Sequence, residues 1–261
     1  MSRFKLTIEY AGTRYSGWQI QKNAKTVQGE LERVIRRVTS QNDFELYGSG
    51  RTDAGVHALH QVAHLELASN LPSETLRRRI NDELPADINI VTAEPVRHRF
   101  HARHDAVARS YLYQISRRRT AFGKPFVWWI KDSLDVGLME DAAKLFLGLR
   151  NFQSFTDEDS EASSTHVMVE RLQLREDGDL ILIRIEGSHF IWKMVRRIVG
   201  VLAAVGRGEL SIDQITGFLT QKSATPARLT APASGLFLER VFYEDDPRDL
   251  PLLAVLRVNR Q

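Results

Sequence analysis

The stretch Gly48-Ser49-Gly50-Arg51-Thr52-Asp53-Ala54-Gly55-Val56-His57 concentrates residue types that can do chemistry. Its three glycines permit a tight, unusual backbone path between two strand-like runs. Within that path Arg51 and Asp53 stand two residues apart. A cation beside Asp53, Arg51 or another, keeps the carboxylate ionised while it is partly buried, and an ionised carboxylate in a desolvated pocket is a competent nucleophile or base. The plainer reading is a glycine-rich hairpin with a local Arg51–Asp53 ion pair. Other glycine-rich motifs do not fit. The third glycine of a dinucleotide fingerprint falls at Asp53, no Gly-Lys-Ser/Thr follows, and no Gly-x-Ser-x-Gly occurs in the chain.

Three further places carry candidates. Arg109-Ser110-Tyr111-Leu112-Tyr113 alternates like a strand, so Arg109, Tyr111 and Tyr113 share one face. A tyrosine face can stack on an unpaired base and its hydroxyl can exchange a proton; the alternative is two core tyrosines capped by Arg109. Phe190-Ile191-Trp192-Lys193-Met194-Val195-Arg196-Arg197 opens an amphipathic helix whose apolar stripe is Ile191, Val195, Ile198 and Leu202. Arg196 and Arg197 both lie off that stripe, either guanidinium suits bidentate pairing with a carboxylate, and periodicity does not choose between them. His57, His60 and His64 invite a metal, but their spacing is not His-Glu-x-x-His. A strand from 61 points His60 and His64 to one face and leaves His57 outside it. No metal site is expected, and His64 reads as a strand residue with a satisfied ring.

The elements that must hold these groups follow from periodicity. Runs 4–10, 44–47, 61–67 and 88–93 read as strands. Between them, 27–39 has a helical apolar face with Thr26 as N-cap, and 73–84 is a helix bounded by Pro72 and Pro85. The order β-α-β-β-α-β is ferredoxin-like. The second half repeats it: a strand at 107–116, a helix at 136–147, a hairpin of 167–175 and 180–185 around Asp177-Gly178, helices at 191–205 and 212–219, and a closing strand at 236–243. The expected fold class is α+β, with two ferredoxin-like halves, 1–105 and 106–261, whose antiparallel sheets join around a central cleft. The Asp loop lies in the first half, the tyrosine and arginine candidates in the second. Residues 117–124 read as a basic loop and 156–164 as an acidic, serine-rich one.

Composition narrows the function class. The 261 residues are 43% hydrophobic and 26% charged, an ordinary globular balance with length enough for a real core. Without cysteine, disulfides, thiolate zinc sites and cysteine nucleophiles are excluded, and a cytoplasmic location is expected. The longest apolar run, 198–206, is far too short to cross a membrane, and the N-terminus shows no signal peptide. Net charge is only +3, but its distribution is uneven. Arg97, Arg99, Arg103, Arg109, Arg117, Arg118 and Arg119 face a single acid, Asp105, whereas 133–186 is predominantly acidic. A basic segment beside an acidic one suggests a polyanionic partner whose phosphates the arginines grip; the alternative is a solvated arginine-rich face.

Taken together the motifs resemble the TruA family of tRNA pseudouridine synthases, nearly end to end. The resemblance runs through Glu9-Tyr10-Ala11-Gly12-Thr13-Arg14-Tyr15-Ser16-Gly17-Trp18-Gln19, Thr26-Val27-Gln28, the hallmark Gly50-Arg51-Thr52-Asp53-Ala54-Gly55-Val56-His57 and Glu83-Leu84-Pro85. It continues through Phe100-His101-Ala102-Arg103, Arg109-Ser110-Tyr111-Leu112-Tyr113, Asn151-Phe152 with Ser154-Phe155, Met194-Val195-Arg196-Arg197-Ile198-Val199-Gly200 and Ala231-Pro232-Ala233-Ser234-Gly235-Leu236. It implies isomerisation of uridine to pseudouridine at positions 38–40 of the tRNA anticodon arm, by a homodimer with no cofactor and no metal. It implies Asp53 as the catalytic aspartate, Tyr111 stacked on the target uracil, Arg196 as the partner of Asp53, and Leu236 lining the uracil pocket. Arg51, His57 and Arg109 complete the expected substrate-binding set. Ala11 stands where the family usually has aspartate and His60 where a small residue is common. Two other readings compete: a non-catalytic RNA-binding protein, and a metal-dependent nuclease using Asp53 and nearby histidines.

Overall fold

The computed structural model describes residues 1–157 and 164–256, so most of the acidic stretch 156–164 lies outside the described residues. The chain divides into two compact units: Met1–Val107 with Phe237–Asp246, and Ala108–Leu236 with the chain from Pro247 on.

The first unit runs β1 (Ser2–Tyr10), α1 (Val27–Thr39), β2 (Phe44–Gly48), β3 (His57–Leu67), α2 (Ser73–Glu83) and β4 (Ile88–Val96). Alternation along β1 buries Phe4, Leu6 and Ile8 on one face, opposite Leu65, Ala63 and Gln61 of β3. α1 covers that core with Val27, Leu31, Val34 and Ile35, and α2 with Leu76 and Ile80. α1 starts where Thr26 Oγ1 accepts the Gly29 N–H at 3.2 Å, and stops where Ser40 turns left-handed. The antiparallel order β4-β1-β3-β2 is that of the expected β-α-β-β-α-β arrangement.

The second unit holds β5 (Ala108–Ser116), β6 (Trp128–Trp129), α3 (Val136–Lys144), β7 (Gly148–Asn151), β8 (His166–Asp177), β9 (Leu180–Gly187), α4 (Met194–Gly206), α5 (Ile212–Thr220) and α6 (Thr225–Arg228). Its strands order as β5-β9-β8-β7, with β6 parallel to β5. α4 is the core helix and buries almost every residue from Met194 to Gly206. Two helices are shorter than their periodicity suggests. α3 ends at Lys144, so 145–147 fall outside the helix, and 148–151 then pair with β8. α4 begins at Met194 because Lys193 adopts a left-handed φ of 63° and interrupts the turn before it. β6, β7 and α6 are too short to leave a periodic signal.

The chain then enters β10 (Leu236–Phe242), which lies parallel to β3 with Phe237 opposite His57 and Leu238 opposite Ala58. β2 occupies that edge of β3 only from Ala63 to Leu67, so the start of β3 is open to a second neighbour. A single boundary at 105/106 does not describe this return of 237–246 to the first unit. After it, the tail lies on β8 and β9. Arg171 donates to Arg248 O at 3.3 Å, Arg184 to Leu250 O at 2.7 Å, and Arg175 to Leu252 O at 2.9 Å. Among the described residues no helix is long and apolar enough to cross a membrane.

Candidate active site

The hallmark loop is a backbone path held from two sides and by a turn of its own. On one side lies the segment after β1. Trp18 N–H donates to Thr52 O at 3.1 Å, Gly55 N–H donates to Tyr15 O at 3.2 Å, and Tyr10 and Thr52 share a buried hydroxyl hydrogen bond at 2.7 Å. Gly12 N–H donates to His57 Nδ1 at 3.0 Å. The approach is so close that a Cβ on Gly12 would stand 1.9 Å from Val56 O, so only glycine fits. On a second side Gln61, fully buried on β3, accepts from Ser49 Oγ at 2.8 Å and donates to Gly50 O at 3.0 Å. Within the loop Val56 N–H donates to Asp53 O at 3.1 Å across a tight turn, with Gly55 at φ 78°. Asp53 stands half-buried at the head of this turn, and Arg51 is exposed. Among the described residues Arg51 forms no ion pair, so the local Arg51–Asp53 bridge that the spacing allows is not made.

The three histidines separate as strand alternation requires. His57 is buried and stacks on Phe237 with ring centroids 4.8 Å apart. His60 is half-buried, with its imidazole held below its ordinary value by burial and then by Arg240. His64 is fully buried with both ring nitrogens engaged: Nδ1 accepts Ala102 N–H at 3.2 Å and Nε2 faces Glu45 Oε1 at 3.3 Å.

In the second unit the face of β5 is as alternation predicts. Tyr113 is core: its hydroxyl donates to Pro232 O at 2.8 Å. Burial pushes its phenol well up, while Arg196 pulls in the opposite direction, so it stays a hydroxyl donor near neutral pH. Tyr111, on the same face, is half-buried and meets Phe190 edge-on at 5.1 Å. Arg109 donates to Ser188 O at 3.0 Å. The segment 231–236 is a tape stitched between α4 and β5. Ala231 N–H donates to Arg196 O at 3.0 Å and Arg196 Nε donates back to Ala231 O at 2.7 Å. Gly200 lets the tape come this near, since a Cβ there would lie 1.7 Å from Leu229 O. Gly235 lies flat on the Tyr113 ring, and the tape ends in buried Leu236. Tyr113, Arg196 and the residues leading to Leu236 are thus joined by direct hydrogen bonds.

Tertiary partners also separate arginines that look alike in sequence. Arg197, 3% exposed, pairs with Asp157, which also accepts from Lys193 Nζ at 2.8 Å. Arg197 anchors the chain before the 158–163 stretch, and Arg196 engages the tape. In the basic stretch 97–119, Arg117 pairs with Glu176, and Arg118 with Asp179 at 3.0 Å, both acids of the β8–β9 hairpin. Arg119 lies over the Trp129 ring at 5.7 Å. Two of the seven arginines expected to grip phosphates are therefore held by carboxylates of this chain. Gln61 and Asp157 carry no motif that marks them; only the fold reveals their parts.

Comparison with known proteins agrees with the motif pattern. The profile of a family described as tRNA pseudouridine synthase matches residues 6–105 and 142–244. A tRNA pseudouridine synthase A of Thermoanaerobacter sp. (strain X514) is 39% identical over 247 residues, covering 93% of this chain and 100% of that one. One of Rhodopseudomonas palustris (strain BisA53) is 40% identical over 247 residues, with 94% and 100% covered. One of Geobacillus kaustophilus (strain HTA426) is 38% identical over 246 residues, with 94% and 95% covered. Of solved structures, the archaeal box H/ACA sRNP Nop10–Cbf5 complex aligns with 78% of this chain and 43% of that one, at 11% identity and a TM-score of 0.39, too distant to bear on fold or site.

Proposed function

Because the chain belongs to the TruA family of tRNA pseudouridine synthases and isomerises uridine to pseudouridine in tRNA, we propose that Asp53 is its catalytic carboxylate, served by Tyr111 and Arg196. The reaction breaks the bond from uracil N1 to ribose C1′, turns the base, and joins C5 to C1′; the C5 proton leaves and N1 gains one. Atoms and electrons balance within the substrate, so the chemistry calls for a carboxylate, a pocket for the detached base and a route for one proton. The target base is stacked in its arm and must be extruded to react.

The observation that carries the assignment is the fixed path of the hallmark loop, which holds the backbone of the half-buried Asp53 on a tight turn. Such preorganisation is what a group needs to meet a ribose or base carbon in one geometry. Tyr111 offers a half-buried ring for the extruded uracil, with Leu236 as an apolar wall. Arg196 supplies the guanidinium that balances Asp53 in the reacting complex. Arg51 and Arg109 bind the substrate, while His57, buried against Gly12 and Phe237, serves by holding the loop. The reading extends to uridines 38–40 of the anticodon arm, a homodimer, and a cytoplasmic location.

Asp53→Asn keeps size and hydrogen-bonding capacity but loses charge and nucleophilicity. The variant should fold and bind tRNA within a few-fold of wild type. It should release no tritium from C5-labelled tRNA, under conditions where wild type releases it with chelator present. Turnover near the wild-type rate in Asp53→Asn removes the carboxylate from the mechanism.

A further inference from the structure

We propose that the first unit carries a subsite for a second nucleotide of the substrate RNA, beside the hallmark loop, with a backbone phosphate between Arg51 and Arg103 and the attached base against the exposed ring of Tyr47. The inference rests on RNA being the substrate and not on which residue is the catalyst. A recess of about 40 Å³ opens here, bordered by Trp18, Gln19, Tyr47, Gly50, Arg51 and Arg103. That is room for a few waters, so the recess suits a compact polar group. Among the described residues two guanidiniums border it and no carboxylate does, and Gln19 adds an amide. Gly50 leaves its side open, because a Cβ there would meet nothing within 4 Å. Gly48, by contrast, is closed by the Trp18 indole at 2.6 Å, so the tryptophan forms a solid wall.

The arginine that reaches the recess from outside the loop stands on an ordered turn. Arg103 sits in a turn whose centre is the imidazole of His101: Nδ1 accepts the N–H of Arg103 at 3.2 Å and that of His104 at 3.3 Å. Asp105 closes the turn by accepting His101 N–H at 3.0 Å. Buried Ala102 docks the turn on the unit through His64 Nδ1 at 3.2 Å and the Tyr243 hydroxyl at 2.8 Å. The same rings hold Tyr47, which stacks on His64 at 5.8 Å and meets His101 edge-on at 5.0 Å, yet stays 39% exposed. Burial holds both imidazoles below their ordinary value, which suits their use as acceptors. An exposed guanidinium on an ordered turn beside a supported, open aromatic ring is the combination that binds one unpaired nucleotide, by phosphate and by stacking.

The test is binding of an anticodon-arm RNA in which each phosphate in turn is a neutral methylphosphonate, or each base in turn is absent. Arg103→Gln should weaken the unmodified arm about tenfold and lower the salt slope by about one. One methylphosphonate position should weaken wild type by a similar factor and add nothing in Arg103→Gln. Removal of the base attached there should be coupled in the same way to Tyr47→Ala. Gly50→Ala sets a methyl into the recess without changing charge and should weaken binding while the melting curve is kept. If every methylphosphonate acts independently of Arg103→Gln, the arginine contributes only diffuse charge and the subsite does not exist. Wild-type affinity in Gly50→Ala overturns it equally. The readout is affinity, so its failure leaves Asp53 untouched, and an active Asp53→Asn leaves the subsite untouched.

Discussion

Arg196 and Arg197 are neighbours of equal chemistry, and the structure predicts that they fail in opposite ways. The side chain of Arg197 is 4% exposed, whereas that of its partner Asp157 is 39% exposed and also holds Lys193. Asp157→Ala therefore strands a buried guanidinium, while Lys193 turns to water. Losing one member of a buried pair costs about 3–5 kcal/mol. Here the lost carboxylate lies near water and Arg197 keeps the Ser154 carbonyl at 3.4 Å, so about 2–3 kcal/mol is expected. Arg197→Met is the milder change although it alters the more buried residue. It removes the charge together with the need for a partner, including a buried Nε that has no hydrogen bond, and Asp157 keeps Lys193. Its cost should be about 1 kcal/mol or less. Asp157→Ala combined with Arg197→Met should then be about 1–2 kcal/mol more stable than Asp157→Ala alone. Urea unfolding of the four proteins measures these differences directly. Arg196→Lys should behave in the converse manner, with stability within about 0.5 kcal/mol of wild type and turnover sharply reduced, since an ammonium cannot reproduce the guanidinium fork. A double variant no more stable than Asp157→Ala refutes the stranded-charge argument. An Arg197→Met enzyme that is folded but inactive refutes the division of labour.

Two further outcomes are expected. Tyr111→Phe keeps the ring and removes the hydroxyl, so it should slow tritium release strongly with little change in tRNA affinity; full activity in Phe confines the residue to stacking, and full activity in Tyr111→Ala removes it from the site. Lys193 and then Arg197 hold the Asp157 carboxyl below its ordinary value of 3.8. A depressed carboxylate stabilises the fold above its unfolded value, and that contribution disappears as pH falls through the folded one. Wild type and Asp157→Asn should therefore differ most near neutrality, and their urea midpoints should converge below about pH 4; curves that stay parallel into acid would show that the pair contributes nothing.

Much of the local structure is written in short-range pattern. The alternation of β1, the N-cap at Thr26 and the glycines of residues 48–57 each act over a few residues, so spacing alone determines strand, helix start and tight loop. The face shared by Arg109, Tyr111 and Tyr113 follows from period two in the same way. Every choice that needed a distant partner was left to the fold. Periodicity set Arg196 and Arg197 off the apolar stripe as equals; Asp157, 40 residues away, claims one of them, and the 231–236 tape claims the other. Arg117 and Arg118 read as part of a phosphate grip until Glu176 and Asp179 bring carboxylates to them. His64 looked like a strand residue with a satisfied ring, but the satisfying groups, Glu45 and Ala102, come from elements on either side in the chain. β10 is a short, mostly apolar run like other buried strands, and nothing in its own residues says that it returns to β3; that depended on β2 being too short to occupy the whole edge. Periodicity records which face of an element is apolar. Which ion pairs and strand edges are filled depends on groups that only folding brings within hydrogen-bond reach.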